Sequence, residues 1–109
     1  MPPTTDRLHG TLDTLVLKTL TFGPRHGYAV LRWIREQTGN KLQVEEGSLY
    51  PALYRMERDG WIEAGWGTSE LGRRAKFYTI TESGRQQLRA QTRAFASFVE
   101  AVAPLLLPA

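Results

Sequence analysis

The 109-residue chain contains no cysteine. Disulfide staples, thiolate metal sites and cysteine nucleophiles are therefore excluded. No apolar run approaches the ~20 residues that a membrane-spanning helix requires. The opening residues, Met-Pro-Pro-Thr-Thr-Asp-Arg, lack the apolar stretch of a secretion signal. Histidine is scarce: His9 and His26 are the only two, with no convergent set of carboxylates around them in the sequence. Neither a metal centre nor a nucleophile–base pair has a constellation to draw on, so the chain is expected to be no enzyme and to carry no metal or cofactor. Internal repeats, low-complexity tracts and linkers that would split the chain are missing too. What remains is an ordinary globular composition, 41% hydrophobic and 23% charged, enough for one domain with a modest core. The net charge of +3 permits a polyanionic partner without demanding one. A cytoplasmic protein with no membrane partner is the expectation.

Residues 1–10 read as a flexible tail and lead-in. Thr11 fits an N-cap, with Asp13 in the first turn, and Leu12, Leu15, Val16 and Leu20 recur at helical spacing, widened by Leu17. Gly23-Pro24 ends this helix. A second helix is expected from about His26 to Thr38, burying Tyr28, Leu31, Ile34 and Val30, with Gly39-Asn40 as its left-handed stop. Lys41-Leu42-Gln43-Val44 alternates and is expected to add a small edge strand. A third helix begins either with Ser48 as N-cap, placing Pro51 in the first turn, or earlier near Glu45, at the cost of one hydrogen bond at Pro51. Leu49, Leu53 and Met56 form its inward edge and Gly60 closes it. Trp61–Thr68 and Lys76–Ile80 alternate as strands around a turn rich in cations, making a hairpin. Thr81 then caps a last helix of about 22 residues, roughly 33 Å at helical rise.

Helix, helix, helix, hairpin, long helix is an α+β order, mainly α with a small β-hairpin. It corresponds to a winged helix-turn-helix with an appended C-terminal dimerisation helix. Four segments carry a further likeness: Leu8-His9-Gly10-Thr11-Leu12, Gly23-Pro24-Arg25-His26-Gly27-Tyr28, Glu46–Leu53 followed by Met56–Ile62, and Arg73–Gly84. On these residues the chain resembles the PadR family of transcriptional regulators, in its short-tailed branch. The resemblance implies a DNA-binding module over residues 11–80 and a dimerisation helix and tail over 81–109. It also implies a homodimeric repressor on an inverted-repeat operator and a small aromatic effector that releases the DNA. The alternative is a winged-helix module that binds protein or a small molecule and not DNA.

In a helix-turn-helix the second paired helix enters the major groove and its N-terminal residues reach base edges. Ser48, Tyr50, Pro51, Tyr54, Arg55 and Arg58 are the outward candidates here. The alternative for Tyr50 and Tyr54 is surface packing against the first helix. For Arg55 and Arg58 it is a solvated face paired with Glu57 or Asp59. Arg73, Arg74 and Lys76 surround the hairpin tip, where they reach phosphate or the minor groove, or else protect a sheet edge. On the last helix Leu88, Thr92, Phe95, Phe98, Val99 and Val102 form the expected dimer interface. By the resemblance, Phe95 and Phe98 are also the candidate ligand pocket. Trp61 and Trp66 read as ordinary core.

Overall fold

Helix α1 (Pro3–Leu20) opens the fold. The computed structural model describes the backbone of residues 3–107 and the side chains of residues 11–107. Pro3 stands at the first helical position, where a missing N–H loses no helical bond. The helix therefore starts well before Thr11, which is not an N-cap, and Asp13 lies mid-helix and buried. Residues 1 and 2, and the side chains of Leu8 and His9, lie outside the described residues. Val16, Leu17 and Leu20 are fully buried, as their spacing requires.

Strand β1 (Arg25–His26) leads directly into α2 (Gly27–Gln37). His26 is the N-cap: its Nδ1 accepts the N–H of Ala29 at 3.2 Å. Val30, Leu31 and Ile34 are buried on this helix, whereas Tyr28, expected inside, is exposed. Gly39 and Asn40 adopt the left-handed conformation after the helix. Residues 41–44 form no strand, contrary to expectation. The Thr38 hydroxyl accepts the N–H of Leu42 at 3.2 Å, so a local turn takes the donor a ladder would need. The third strand comes instead from Arg25–His26.

Helix α3 (Glu46–Arg58) begins at the earlier of the two expected positions. Glu45 is the extended N-cap and its carbonyl accepts from Ser48 and Leu49, both at 3.0 Å. Ser48 is thus within the first turn and Pro51 lies deeper, where its missing N–H leaves the carbonyl of Gly47 without a helical donor. Gly47 is exposed, so that carbonyl is open to water. At the far end Gly60 takes φ 80°, its N–H meets the carbonyl of Glu57 and that of Trp61 meets Met56, a Schellman stop.

Strands β2 (Ile62–Thr68) and β3 (Arg74–Ile80) pair antiparallel with Ile62 opposite Ile80, Ala64 opposite Tyr78 and Trp66 opposite Lys76. β1 adds to the other edge of β3, giving the order β1-β3-β2. The hairpin root is buried through Ile62, Tyr78 and Ile80, while its tip projects. Helix α4 (Glu82–Leu106) is capped by Thr81, whose Oγ1 accepts the N–H of Gly84 and donates to the carbonyls of Gly60 and Trp61. Gly84 is buried against this corner, and a Cβ there would land on the carbonyl oxygen of Trp61.

The core is one cluster drawn from α1, α2, α3 and the hairpin root. Each fully buried Leu, Ile or Met in it contributes about 1.5–3 kcal/mol of transfer free energy. Among the described residues, the buried polar side chains of Asp13 and Thr19 are satisfied: Asp13 by Arg55, and Thr19 through its hydroxyl, which donates to the carbonyl of Leu15. α4 packs on α1, with Thr14 and Gln91 joined at 2.7 Å, and its distal half stands clear of the core.

Candidate nucleic-acid interface

The inward residues of α3 decide what the outward ones present. Leu49, Ala52, Leu53 and Met56 are buried, so the helix turns Ser48, Tyr50, Pro51, Tyr54 and Arg58 to the surface. Tyr54 is 71% exposed. Tyr50 is half-exposed, its ring lying where a side chain on Gly27 would stand. Tyr50 therefore packs against the start of α2 rather than against α1. Arg58 is exposed and its Nε lies 3.3 Å from Asp59 Oδ1.

Arg55 is not on this outward face. Its Nη2 donates to Asp13 Oδ1 on α1 at 2.7 Å. A nearly buried carboxylate requires a charged partner, and Arg55, next to buried Met56, is within reach of it. Arg55 thus ties α3 to α1. Lys76 stays at the cleft beside Tyr50, Arg73 and Arg74, but it is paired: its Nζ lies 3.4 Å from Glu57 Oε1 on α3 and 5.7 Å from the centre of the Tyr78 ring.

The wing tip is built by the turn between β2 and β3. The Ser69 N–H donates to the Arg73 carbonyl, the Ser69 Oγ accepts the Arg73 N–H, and Gly72 takes φ 77°. Arg73 and Arg74 are both exposed there. The guanidinium of Arg74 lies 4.8 Å from the centre of the Trp66 ring, the diagonal neighbour that the register predicts. Trp66 is 64% exposed, so its assignment to the core is corrected. The alternation that put it on the face of Ile62 was sound, but the core ends before the strand does. Strand length relative to core depth was the available signal.

The wing and the starts of α2 and α3 enclose an open cleft of about 540 Å³. Tyr50, Trp66, Arg73 and Arg74 line it together with His26 and Arg32, so the α3 start and the wing share one side of the molecule. One acid, Glu70 of the wing turn, lines it as well. Its carboxyl is held below the ordinary carboxylate range by its own backbone N–H, with His26 and Arg32 reinforcing this against an opposing desolvation. The acid stays ionised through neutral pH.

The expected interface on α4 is mostly solvent-facing. Phe95 is 55% exposed, and Thr92, Phe98 and Val99 are exposed. Val102 is half-buried, and Leu88 packs on the core of its own chain. Phe95 and Phe98 do not line the wing cleft. Among the described residues no group of acids and histidines suited to a metal ion occurs, and no helix is long and apolar enough to cross a membrane.

Comparison with known proteins agrees with this geometry. A family model described as transcriptional regulator PadR-like matches residues 16–90. Protein X of Lysinibacillus sphaericus, uncharacterized, is 31% identical over 97 residues, covering 89% of each chain. The negative transcriptional regulator PadR of Bacillus subtilis is 27% identical over 77 residues, which are 71% of this chain and 42% of that protein. The crystal structure of a PadR-like transcriptional regulator from Bacillus cereus superposes with a TM-score of 0.77 at 29% identity, covering 95% of this chain and 99% of that one. With helix-turn-helix, wing and long terminal helix all in place, the chain belongs to the PadR-like family of transcriptional regulators, proteins that act by binding DNA and not as enzymes.

Proposed function

We propose that this regulator is a homodimeric repressor that occupies an inverted-repeat operator and so blocks a promoter. The observation that carries this reading is the single face formed by Tyr50 of α3 with Arg73, Arg74 and Trp66 of the wing. A helix start offers donors and flat rings to base edges, and flanking arginines meet the phosphates on either side. Ser48, Tyr50, Pro51, Tyr54 and Arg58 take the groove in this reading, and the wing takes the backbone or minor groove. The repressor role has its support in the Bacillus subtilis relative, a negative regulator by name.

The exposed strip of Phe95, Phe98 and Val99 supports the dimer. A helix this apolar on its outer side is stable in water when a second apolar surface covers it. Phe95→Glu is expected to give a monomer by light scattering, because a carboxylate in a closed apolar seam has no partner. A mass still equal to two chains would refute this interface. A small aromatic effector would stack on Phe95 and Phe98 where the two α4 helices meet.

Sequencing the genomic fragments retained by the purified protein tests the operator. Two half-sites with centres about 34–36 Å apart, or a multiple, are expected as an inverted repeat. Direct repeats or isolated half-sites would overturn the symmetric dimer. Tyr50→Ala is expected to lose operator discrimination while the chain stays folded, measured by competition with random duplex alongside circular dichroism. Its half-exposed ring contributes little to the core, so unfolding would instead assign it a packing role.

A further inference from the structure

Glu70 is out of place electrostatically. A surface meant for phosphate carries an acid in the very turn that presents Arg73 and Arg74. Its two oxygens reach back to α2: Oε1 lies 3.6 Å from Arg32 Nη2 and Oε2 lies 3.7 Å from His26 Nε2. Both separations are too long for good hydrogen bonds, and Nε2 of His26 is buried without any hydrogen-bond partner. The ring's other nitrogen accepts from Ala29, so in the neutral imidazole the proton sits on Nε2, facing Glu70. One donor and one guanidinium thus converge on a carboxylate that fills their site loosely. Arg32 is half-exposed and its guanidinium lies 5.7 Å from the centre of the Tyr28 ring, which holds it at the rim of the cleft.

We infer that His26 and Arg32 form a phosphate-binding site for the DNA backbone, occupied in the DNA-free protein by the Glu70 carboxylate as an internal stand-in. This rests on the DNA-binding reading of the cleft and adds a contact from α2 to it. A phosphodiester brings the same charge and a similar spread of oxygens, on a strand already positioned by α3 and the wing. It displaces Glu70, and the wing tip is then released from α2 to settle on the duplex. Glu70 thereby weakens binding to DNA that does not deliver a phosphate at this point, and so sharpens discrimination by register.

The test is a double-mutant cycle on Glu70→Gln and Arg32→Gln. Binding is read by fluorescence anisotropy with a labelled random-sequence duplex, because phosphate contacts need no particular sequence. Glu70→Gln is expected to tighten binding by about fivefold, the upper range for freeing an exposed ion pair. Arg32→Gln is expected to make the slope of log affinity against log salt shallower by about 0.9. In the Arg32→Gln background the gain from Glu70→Gln should largely vanish. Glu63→Gln removes an equal charge from the exposed part of β2 and is expected to change affinity less than Glu70→Gln. An unchanged affinity in Glu70→Gln, a gain that persists in full without Arg32, or a salt slope unaltered by Arg32→Gln would each overturn the site while leaving DNA binding intact. Failure of the unaltered protein to bind any duplex would instead overturn the reading of the whole face.

Discussion

Gly84→Ala is expected to destabilise the protein more than any exposed substitution, by about 2–3 kcal/mol, lowering the thermal midpoint by roughly 10–20 °C. The added methyl meets the Trp61 carbonyl, which cannot yield easily. That oxygen accepts both the N–H and the hydroxyl of Thr81, so it fixes the corner where β3 turns into α4. Ile80 closes the remaining space. Circular dichroism melting reads the effect directly. Gly47→Ala supplies the contrast: a Cβ there meets nothing, and α3 gains up to about 1 kcal/mol from the better helix former. A Gly84→Ala midpoint equal to the parent's would mean that the start of α4 slides freely on the hairpin root, against the bonding seen at Thr81.

Arg73→Ala combined with Arg74→Ala is expected to reduce DNA affinity by about 100-fold while the midpoint stays within a degree or two. Each charged hydrogen bond to phosphate contributes roughly 1.5 kcal/mol. The slope of log affinity against log salt should become shallower by about 1.8, since each lost contact removes about 0.9. Specific and random duplexes should weaken alike, because backbone contacts carry register and no sequence. Folding is spared because both side chains lie beyond the core; the loss at Arg74 includes only its stack on Trp66. An unaltered slope would take the wing off the DNA.

The helices and the hairpin were legible from local pattern. Leu49, Leu53 and Met56 lie inside as their spacing required, and Gly60 and Thr81 stop and start helices where their chemistry suits. The failures share a cause. Thr11 resembles an N-cap, yet the propagation of α1 from Pro3 runs through it. Residues 41–44 alternate like a strand, but a threonine hydroxyl claimed a backbone donor first. Tyr28 fits the buried stripe of α2, but it stands at the first turn, beside the open cleft rather than the core.

The candidate face divides in the same way. Tyr50, Arg73 and Arg74 were marked by their neighbours in the chain: a turn, a proline and a glycine. Arg55 and Lys76 carry the same charge as the wing arginines, and nothing local separates them. Asp13, far away in sequence, turns Arg55 toward α1, and Glu57 pairs with Lys76 where it lines the cleft.

The order of elements, their apolar faces and their stops were set by the amino-acid sequence alone, because periodicity, capping and turn geometry act within a few residues. Tertiary structure decided which charges remain available to a polyanion, that Trp66 stands in water, and that Glu70 reaches back to Arg32 and His26. Long polar side chains reach several ångströms, so their partners depend on which distant element packs alongside, and no local spacing encodes that.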